Sequence, residues 1–259
     1  MRKISSTWSV SRAASRLILV CATAIPLPAQ WLNYPKAGAS LGAPAPKTTD
    51  GKPDLSGIWI AEDQAYFFDL AAGLKPEAVV ETPWAKALQE QRERNLHADD
   101  PLARCLPQGV PRVNTNGMFP FKIIQAPGEV VILYEQLGLF RQIFMDGRKL
   151  AKDANPAWLG YSTGRWDGET LVIDTAGFNG KTWLDTTKGH AASEKLHVEE
   201  RFRRTTFGDL EVQATIDDPE AYEKPWTTAI QKMHLLQGTE ILEFSCNENE
   251  KDQAHMPVK

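Results

Sequence analysis

The sequence predicts a mainly β protein, in which an antiparallel meander closes into a barrel and one helix precedes the strands. After Cys105 the apolar residues alternate with polar ones or form short runs, a pattern typical of strands. Turn dipeptides such as Pro127-Gly128 and Asp167-Gly168 separate these runs. No helical pattern lies between them, so we expect neighbouring strands to pair in a closed or nearly closed sheet, a barrel rather than a sandwich.

The first 29 residues predict a signal peptide. Four basic residues within the first 16 precede the apolar run 17–25, and small residues end at Ala29. That run is too short to cross a bilayer, and no later stretch approaches the roughly 20 apolar residues that a spanning helix needs. We therefore expect a periplasmic or secreted protein with no integral membrane segment.

Residues 30–54 are rich in Pro, Gly, Ala and Ser, which predicts an extended arm or linker before a single barrel domain at 55–259. A short first strand is expected at 55–60. Thr82 is a favourable N-cap and Pro83 suits the first helical position, so the one long helix begins there and extends to about Asn95.

The remaining elements are predicted to be strands. Their ranges are 121–126, 129–135, 139–146, 160–166, 169–176, 196–204, 210–217, 226–236 and 241–246. A two-residue turn at Asp167-Gly168 would place Trp166 opposite Glu169 and Tyr161 opposite Asp174.

Two cysteines, Cys105 and Cys246, follow the leader. In an oxidising compartment they predict a disulfide that closes a loop of about 140 residues. Two buried free thiols are the alternative. Neither cysteine has a C-x-x-C partner, so a redox or zinc role is not expected.

Composition and motifs exclude several function classes. The chain is 42% hydrophobic and 24% charged, its net charge is -4, and the mature part has no run of Lys or Arg, so nucleic acid is not an expected partner. The serine-hydrolase elbow, the H-E-x-x-H helix, the P-loop and the dinucleotide fingerprint are all missing from the sequence. We expect neither a cofactor nor a bound metal, and no pattern indicates an oligomeric state.

Several segments resemble a family of secreted proteins of environmental bacteria that has no established reaction. They are WLNYP at 31–35, DGKPDLSGIW at 50–59, RCLP at 104–107, GYSTGRWDG at 160–168 and LHVEERF at 196–202. The chain has Gly189-His190-Ala191 where that family has Pro-His-Ser. More loosely, Gly57-Ile58-Trp59 on a first strand followed by a meander is similar to lipocalin-like barrels.

A loop of about twenty residues between two predicted strands is long for a compact domain, and such loops commonly carry function. It holds Asn179, Trp183, Asp185, His190 and Ser193. We expect a site where this loop meets the sheet. His190, beside Asp185 and Ser193, is a candidate general base, with a surface histidine as the alternative.

Glu200 interrupts the apolar row that Leu196, Val198 and Phe202 form on the strand 196–204. Desolvation raises the pKa of such a carboxylate unless an arginine pairs with it, which makes Glu200 a candidate general acid or base. The alternatives are a buried ion pair with Arg141 or Arg165 and a carboxylate at the end of the barrel that reaches water.

The hairpin face that carries Tyr161, Arg165 and Asp174 either lines a polar cavity or forms a solvated cross-strand set outside the barrel. His197 and Glu199 could join His190 as metal ligands, but Arg201 and Arg203 on the same face oppose a cation. The candidate catalytic residues are Glu200, His190 and Asp174. The candidate substrate-binding residues are Tyr161, Arg141, Arg165, Asn179, Trp183, Asp185 and His197.

Two functions are consistent with this pattern. The first is an enzyme that acts on a small hydrophobic or aromatic molecule by acid–base chemistry, as a lyase, isomerase or hydrolase. The alternative is a non-catalytic, lipocalin-like periplasmic carrier of a small apolar ligand. A titratable group facing the cavity favours the enzyme, and a wholly apolar cavity favours the carrier.

Overall fold

The computed structural model describes residues 38, 40–150, 153–246 and 248, so the predicted signal peptide lies outside the described residues. Ten strands form one sheet. They are β1 Gly57–Ala61, β2 Phe121–Ala126, β3 Glu129–Tyr134, β4 Phe140–Phe144, β5 Tyr161–Asp167, β6 Thr170–Ala176, β7 His197–Arg204, β8 Asp209–Asp217, β9 Trp226–Thr227 and β10 Gln231–Leu236.

Nine of these strands close into a barrel, which confirms the predicted fold class. The ring closes because β10 pairs with β1 on one side and with the first half of β8 on the other. The short β9 pairs with the second half of β8. One junction departs from the meander, since β4 and β5 pair in parallel through Ile143 and Phe144. The segment 145–160 supplies the long connection that parallel neighbours require.

The helices are α1, Ala65–Phe68, and α2, Pro83–Arg94. Single 3₁₀ turns occupy Pro76–Ala78, Pro101–Arg104, Arg112–Asn114 and Gln136–Gly138. The prediction for α2 is confirmed, because the Thr82 side chain accepts a hydrogen bond from the backbone N–H of Ala85 at 3.3 Å and Pro83 is the first helical residue. No helix among the described residues is long and apolar enough to cross a membrane.

Two predicted strands need correction. The stretch 226–236 is interrupted between β9 and β10. There Thr228 bonds to the middle of β8, since its N–H donates to Ala214 O at 2.8 Å and its Oγ1 accepts from Ala214 N–H at 3.1 Å. The stretch 241–246 forms no strand. There the Leu242 N–H donates to the Glu135 side chain at 2.8 Å instead of to a neighbouring strand.

The register of the β5–β6 hairpin also differs from the prediction. Asp167 pairs with Thr170, so the turn is Gly168-Glu169 and Tyr161 lies opposite Ala176, not opposite Asp174. Gly168 adopts a φ of 59°, a conformation that costs glycine little, and it can occupy either central position of a two-residue turn. The residues that share each face are nevertheless those predicted, because the shift preserves the alternation.

The core is one cluster of buried apolar side chains inside and at the ends of the barrel. Val198 and Phe202 on β7 are fully buried, and Leu210, Val212, Ala214 and Ile216 form the matching row on β8. These two rows confirm the alternation predicted for both strands.

Cys105 and Cys246 form a disulfide with a Cα–Cα distance of 5.8 Å, as predicted. Part of the predicted arm packs on the turn between β7 and β8. Phe207 N–H donates to Ala43 O at 2.7 Å, and Gly208 N–H donates to Leu41 O at 2.8 Å. The described part of the arm is thus attached to the barrel, while the boundaries of the arm and the domain stay predictions.

Candidate functional site

The long loop between β6 and β7 is ordered around the Asp185 carboxylate, which has no exposed surface. Its Oδ1 accepts hydrogen bonds from the N–H groups of Gly189 at 2.7 Å and His190 at 3.2 Å. Its Oδ2 accepts from the N–H of Leu70 at 2.9 Å and lies 2.5 Å from His190 Nδ1. All four acceptor positions of the carboxylate are therefore used, and Asp185 joins the loop to the segment after α1.

This arrangement fixes the proton on His190. Because Asp185 acts only as an acceptor, His190 Nδ1 carries the hydrogen, and Nε2 is left for an outside partner. His190 is 6% exposed, and its side chain lines a cavity. A buried imidazole that a carboxylate orients and that lines a cavity is suited to act as a general acid or base.

The cavity has a volume of about 320 Å³ and lies between the α1–α2 segment and the long loop. Its lining residues are Asp69, Ala71, Leu74, Lys75, Pro76, Val79, Glu81, Gln89, Lys188 and His190. We call it the His190 cavity. It brings a titratable imidazole, two carboxylates and a short apolar wall together.

Glu81 is a second titratable group in the His190 cavity, and sequence reasoning missed it. Its Oε1 atom is buried and has no hydrogen-bond partner among the described residues. Burial raises the pKa of Glu81 above its ordinary value, although the nearby His190 opposes the shift. Its position in the sequence could have indicated a buried carboxylate, because Glu81 directly follows Val79 and Val80 and precedes the N-cap Thr82.

The pKa of His190 is also raised. Burial by itself lowers the pKa of His190, but the hydrogen bond to Asp185 and the charges of Asp185, Glu81 and Asp69 outweigh it. The imidazolium is therefore present at a higher pH than in an isolated histidine. His190 and Glu81 thus face one cavity as a proton donor and a proton acceptor.

The backbone around His190 is held by α2. Arg92 Nη1 donates to Gly189 O at 2.7 Å, and its guanidinium lies 4.1 Å from the centre of the Trp183 ring. Burial lowers the pKa of Arg92 to about 10. Trp183, predicted to bind substrate, instead packs beneath this arginine and does not line the His190 cavity.

The other predicted loop residues have hydrogen-bond partners that do not line the His190 cavity. Asn179 Oδ1 accepts from Lys181 N–H at 3.0 Å, which is a turn contact. Ser193 Oγ donates to Asp218 Oδ1 at 2.7 Å. Ser193 therefore pairs with a different carboxylate and does not form a Ser–His–Asp arrangement with His190.

The side chains around His190 are poorly suited to binding a metal ion. One ligand atom each of Asp69, Asp185 and His190 lies within 4.8 Å of the others. However, the acceptor positions of Asp185 are already filled, and Lys75 and Lys188 line the same cavity and repel a cation. The donor set fits proton transfer better than metal binding.

Glu200 lies within the barrel and is completely buried. Arg141 Nη2 is 2.5 Å from Glu200 Oε2, and Asn114 Nδ2 donates to Oε1 at 2.6 Å. The ion pair that the sequence left as an alternative is thus present. Burial by itself lowers the pKa of Arg141. The negative charge of Glu200 and its hydrogen bond to Arg141 act in the opposite direction, and the pKa of Arg141 is raised.

This pair belongs to a wider network. Tyr134 Oη donates to Asn114 Oδ1 at 2.9 Å, and Arg141 also donates to Ser162 Oγ at 2.9 Å and Thr175 Oγ1 at 2.6 Å. Both Glu200 oxygens have protein partners, and Glu200 does not line the His190 cavity. The geometry accounts for Glu200 as the counter-ion of Arg141.

The predicted hairpin residues lie on the outside of the barrel. Arg165 forms ion pairs with Asp174 and Glu199, and His197 Nε2 is 3.2 Å from Asp174 Oδ1. Arg165, Asp174 and His197 line an outer cavity of about 350 Å³. Tyr161 Oη donates to Asn155 O at 2.8 Å. The structure therefore gathers three predicted residues, but in a cavity that His190 does not line.

The chain matches no known family model and no curated protein. The resemblance to a secreted bacterial family stays a prediction.

Proposed function

We propose that the protein is an enzyme that acts on a small hydrophobic or aromatic molecule by acid–base chemistry, as a lyase, isomerase or hydrolase. The observation that carries the proposal is His190, whose imidazole is almost wholly buried, is held by Asp185 through Nδ1 and lines a cavity that it shares with Glu81. Glu200, the first candidate from the sequence, is not part of the proposed mechanism because its oxygens are bonded to Arg141 and Asn114.

In the proposed reaction the ionised carboxylate of Glu81, which lines the cavity, accepts a proton from the substrate. Protonated His190 donates the hydrogen of Nε2 to a developing negative charge, and Asp185 stabilises the imidazolium beforehand. The apolar wall of Leu74, Pro76 and Val79 supports the hydrophobic part of the substrate.

The carrier alternative has less support. A carrier of apolar ligands needs an apolar cavity, whereas the His190 cavity presents five ionisable side chains. They are Asp69, Lys75, Glu81, Lys188 and His190.

We also propose that the enzyme works in the periplasm or outside the cell. The Cys105–Cys246 disulfide supports this location, because such bonds persist in oxidising compartments. The predicted leader supports it independently.

A panel of small aromatic and hydrophobic esters, lactones and β-hydroxy carbonyl compounds, followed by mass spectrometry, tests the proposal. We expect wild-type protein to convert at least one compound, and His190→Gln and Glu81→Gln each to slow conversion about a hundredfold or more. His234→Gln is the matched control, since His234 is half exposed on β10 and lies in a different cavity. Conversion that is absent, or unchanged in the first two variants, would contradict the proposal.

A further inference from the structure

Two lysines at the mouth of the His190 cavity have no ion-pair partner in the part of the chain that the structure describes. Lys75 and Lys188 both line the cavity and are exposed. Other exposed lysines, such as Lys181 and Lys195, also have no ion-pair partner among the described residues, but Lys75 and Lys188 differ from them in lining the His190 cavity. Exposed ammonium groups without a direct ion-pair partner at a cavity raise the local concentration of anions.

The charged groups in this cavity are separated by depth. The lysines are exposed, whereas His190 is 6% exposed and Glu81 Oε1 is buried. An anionic group is therefore attracted to the exposed lysines, whereas the carboxylates of Asp69 and Glu81 repel it and oppose the attraction of the His190 imidazolium. A molecule with one anionic end would bind in a single orientation, with its other end at the floor.

The space between mouth and floor is small and partly apolar. Ala71, Leu74, Pro76 and Val79 line it, and the volume of about 320 Å³ corresponds to roughly ten water molecules in the liquid. A ligand with a short apolar body fits this space, and a long lipid chain does not.

We propose that the substrate class of this site is a small organic anion. A carboxylate binds to Lys75 and Lys188, the apolar body packs against Leu74, Pro76 and Val79, and the reacting end faces His190 and Glu81. The position of the reacting end rests on the function proposed above, whereas recognition of the anion does not.

Calorimetric titration with benzoate and with benzyl alcohol tests the inference, because the two probes share a ring and differ in charge. We expect wild-type protein to bind benzoate about five to ten times more tightly than benzyl alcohol, the contribution of two exposed charges. Lys75→Met combined with Lys188→Met should bring the ratio of the two affinities close to one. Lys149→Met is the control, since Lys149 lines the outer cavity, and it should leave the ratio unchanged.

Equal affinity for the two probes, no binding of either up to its solubility limit, or a preference that survives in the double variant would overturn the inference. The outcome is separable from that of the proposed function. Benzoate binding could depend on the lysines while turnover is unchanged in the His190 and Glu81 variants. That result would support the anion site and contradict the acid–base mechanism. Turnover that depends on His190, without the lysine-dependent preference, would do the reverse.

Discussion

His190 Nδ1 lies 2.5 Å from Asp185 Oδ2, and both side chains are almost completely buried. The same carboxylate accepts hydrogen bonds from the backbone N–H groups of Leu70 and Gly189. One side chain therefore closes the loop, attaches it to the segment after α1 and sets the proton position on the imidazole. The folding of this loop and the chemistry of the site depend on the same group.

Asp185→Asn should lower the pKa of His190, because the variant removes the negative partner that outweighs burial. The amide of the variant also places N–H donors where the backbone N–H groups need an acceptor. The free energy of unfolding should therefore fall by about 1–3 kcal/mol. Titration of the imidazole by NMR measures the first effect, and denaturant unfolding measures the second.

Asp218→Asn is the matched control for that variant. Asp218 is 1% exposed and accepts from the backbone and side chain of Ser193 in the same loop. The Asp218→Asn variant should lose stability to a similar extent, whereas the pKa of its His190 should equal that of the wild type. A pKa of His190 that is the same in Asp185→Asn as in the wild type would show that Asp185 does not tune the imidazole.

The pH dependence of kcat/KM should be bell-shaped, since the proposed mechanism needs ionised Glu81 and protonated His190. Both pKa values are raised, so the acidic limb should lie above the ordinary value of 4.5 for Glu81 and the basic limb above 6.5 for His190. Glu81→Gln should slow the reaction and remove the acidic limb from what remains. A rate that rises steadily with pH through both regions would contradict these roles.

His190 should also make stability depend on pH. Its pKa is higher in the folded state than the ordinary 6.5, so the native state holds the proton more tightly than the unfolded chain. This contribution is fully present below about pH 6.5 and is lost as the pH rises through the folded value. Unfolding free energies measured across this window should fall more steeply for wild type than for His190→Gln. Parallel curves would contradict the raised pKa.

Most of the strands were predictable because their signal is local. Alternation along β7 and β8 and the capping pair Thr82-Pro83 are read from neighbouring residues, and each appears in the structure. The hairpin register was not predictable in the same way, because Gly168 can take the first or the second position of a two-residue turn. A shift of the turn by one residue moved Tyr161 from Asp174 to Ala176.

The candidate site was predicted in part. The length of the loop indicated His190 and Asp185, which the structure joins, because both belong to one segment. Glu81 and Lys75 come from the region between the two helices, and only tertiary packing places them beside His190. Sequence periodicity identified Glu200 as buried but could not choose between a catalytic group and a partner of Arg141, since that choice depends on a strand distant in the sequence.

Glu200→Gln should destabilise the protein and leave the turnover of the folded fraction intact. The variant leaves the Arg141 guanidinium buried without a counter-ion, which costs about 3–5 kcal/mol in comparable pairs. Replacing both members, as in Arg141→Met with Glu200→Gln, should restore part of that loss because no unpaired charge remains. Denaturant unfolding and a turnover assay check both statements. A folded Glu200→Gln protein with no turnover would return Glu200 to the mechanism.

Cys105→Ser combined with Cys246→Ser should lower the free energy of unfolding by roughly 4 kcal/mol. The bond links residues separated by 141 positions, and closing so long a loop removes much of the conformational freedom of the unfolded chain. Reductant should lower the unfolding midpoint of the wild type to that of the double variant and should leave the double variant unchanged. Thiol titration of the denatured wild type, prepared without residues 1–29, should find no free sulfhydryl. If reduced and oxidised wild type unfolded at the same denaturant concentration, the Cys105–Cys246 disulfide would contribute nothing to stability.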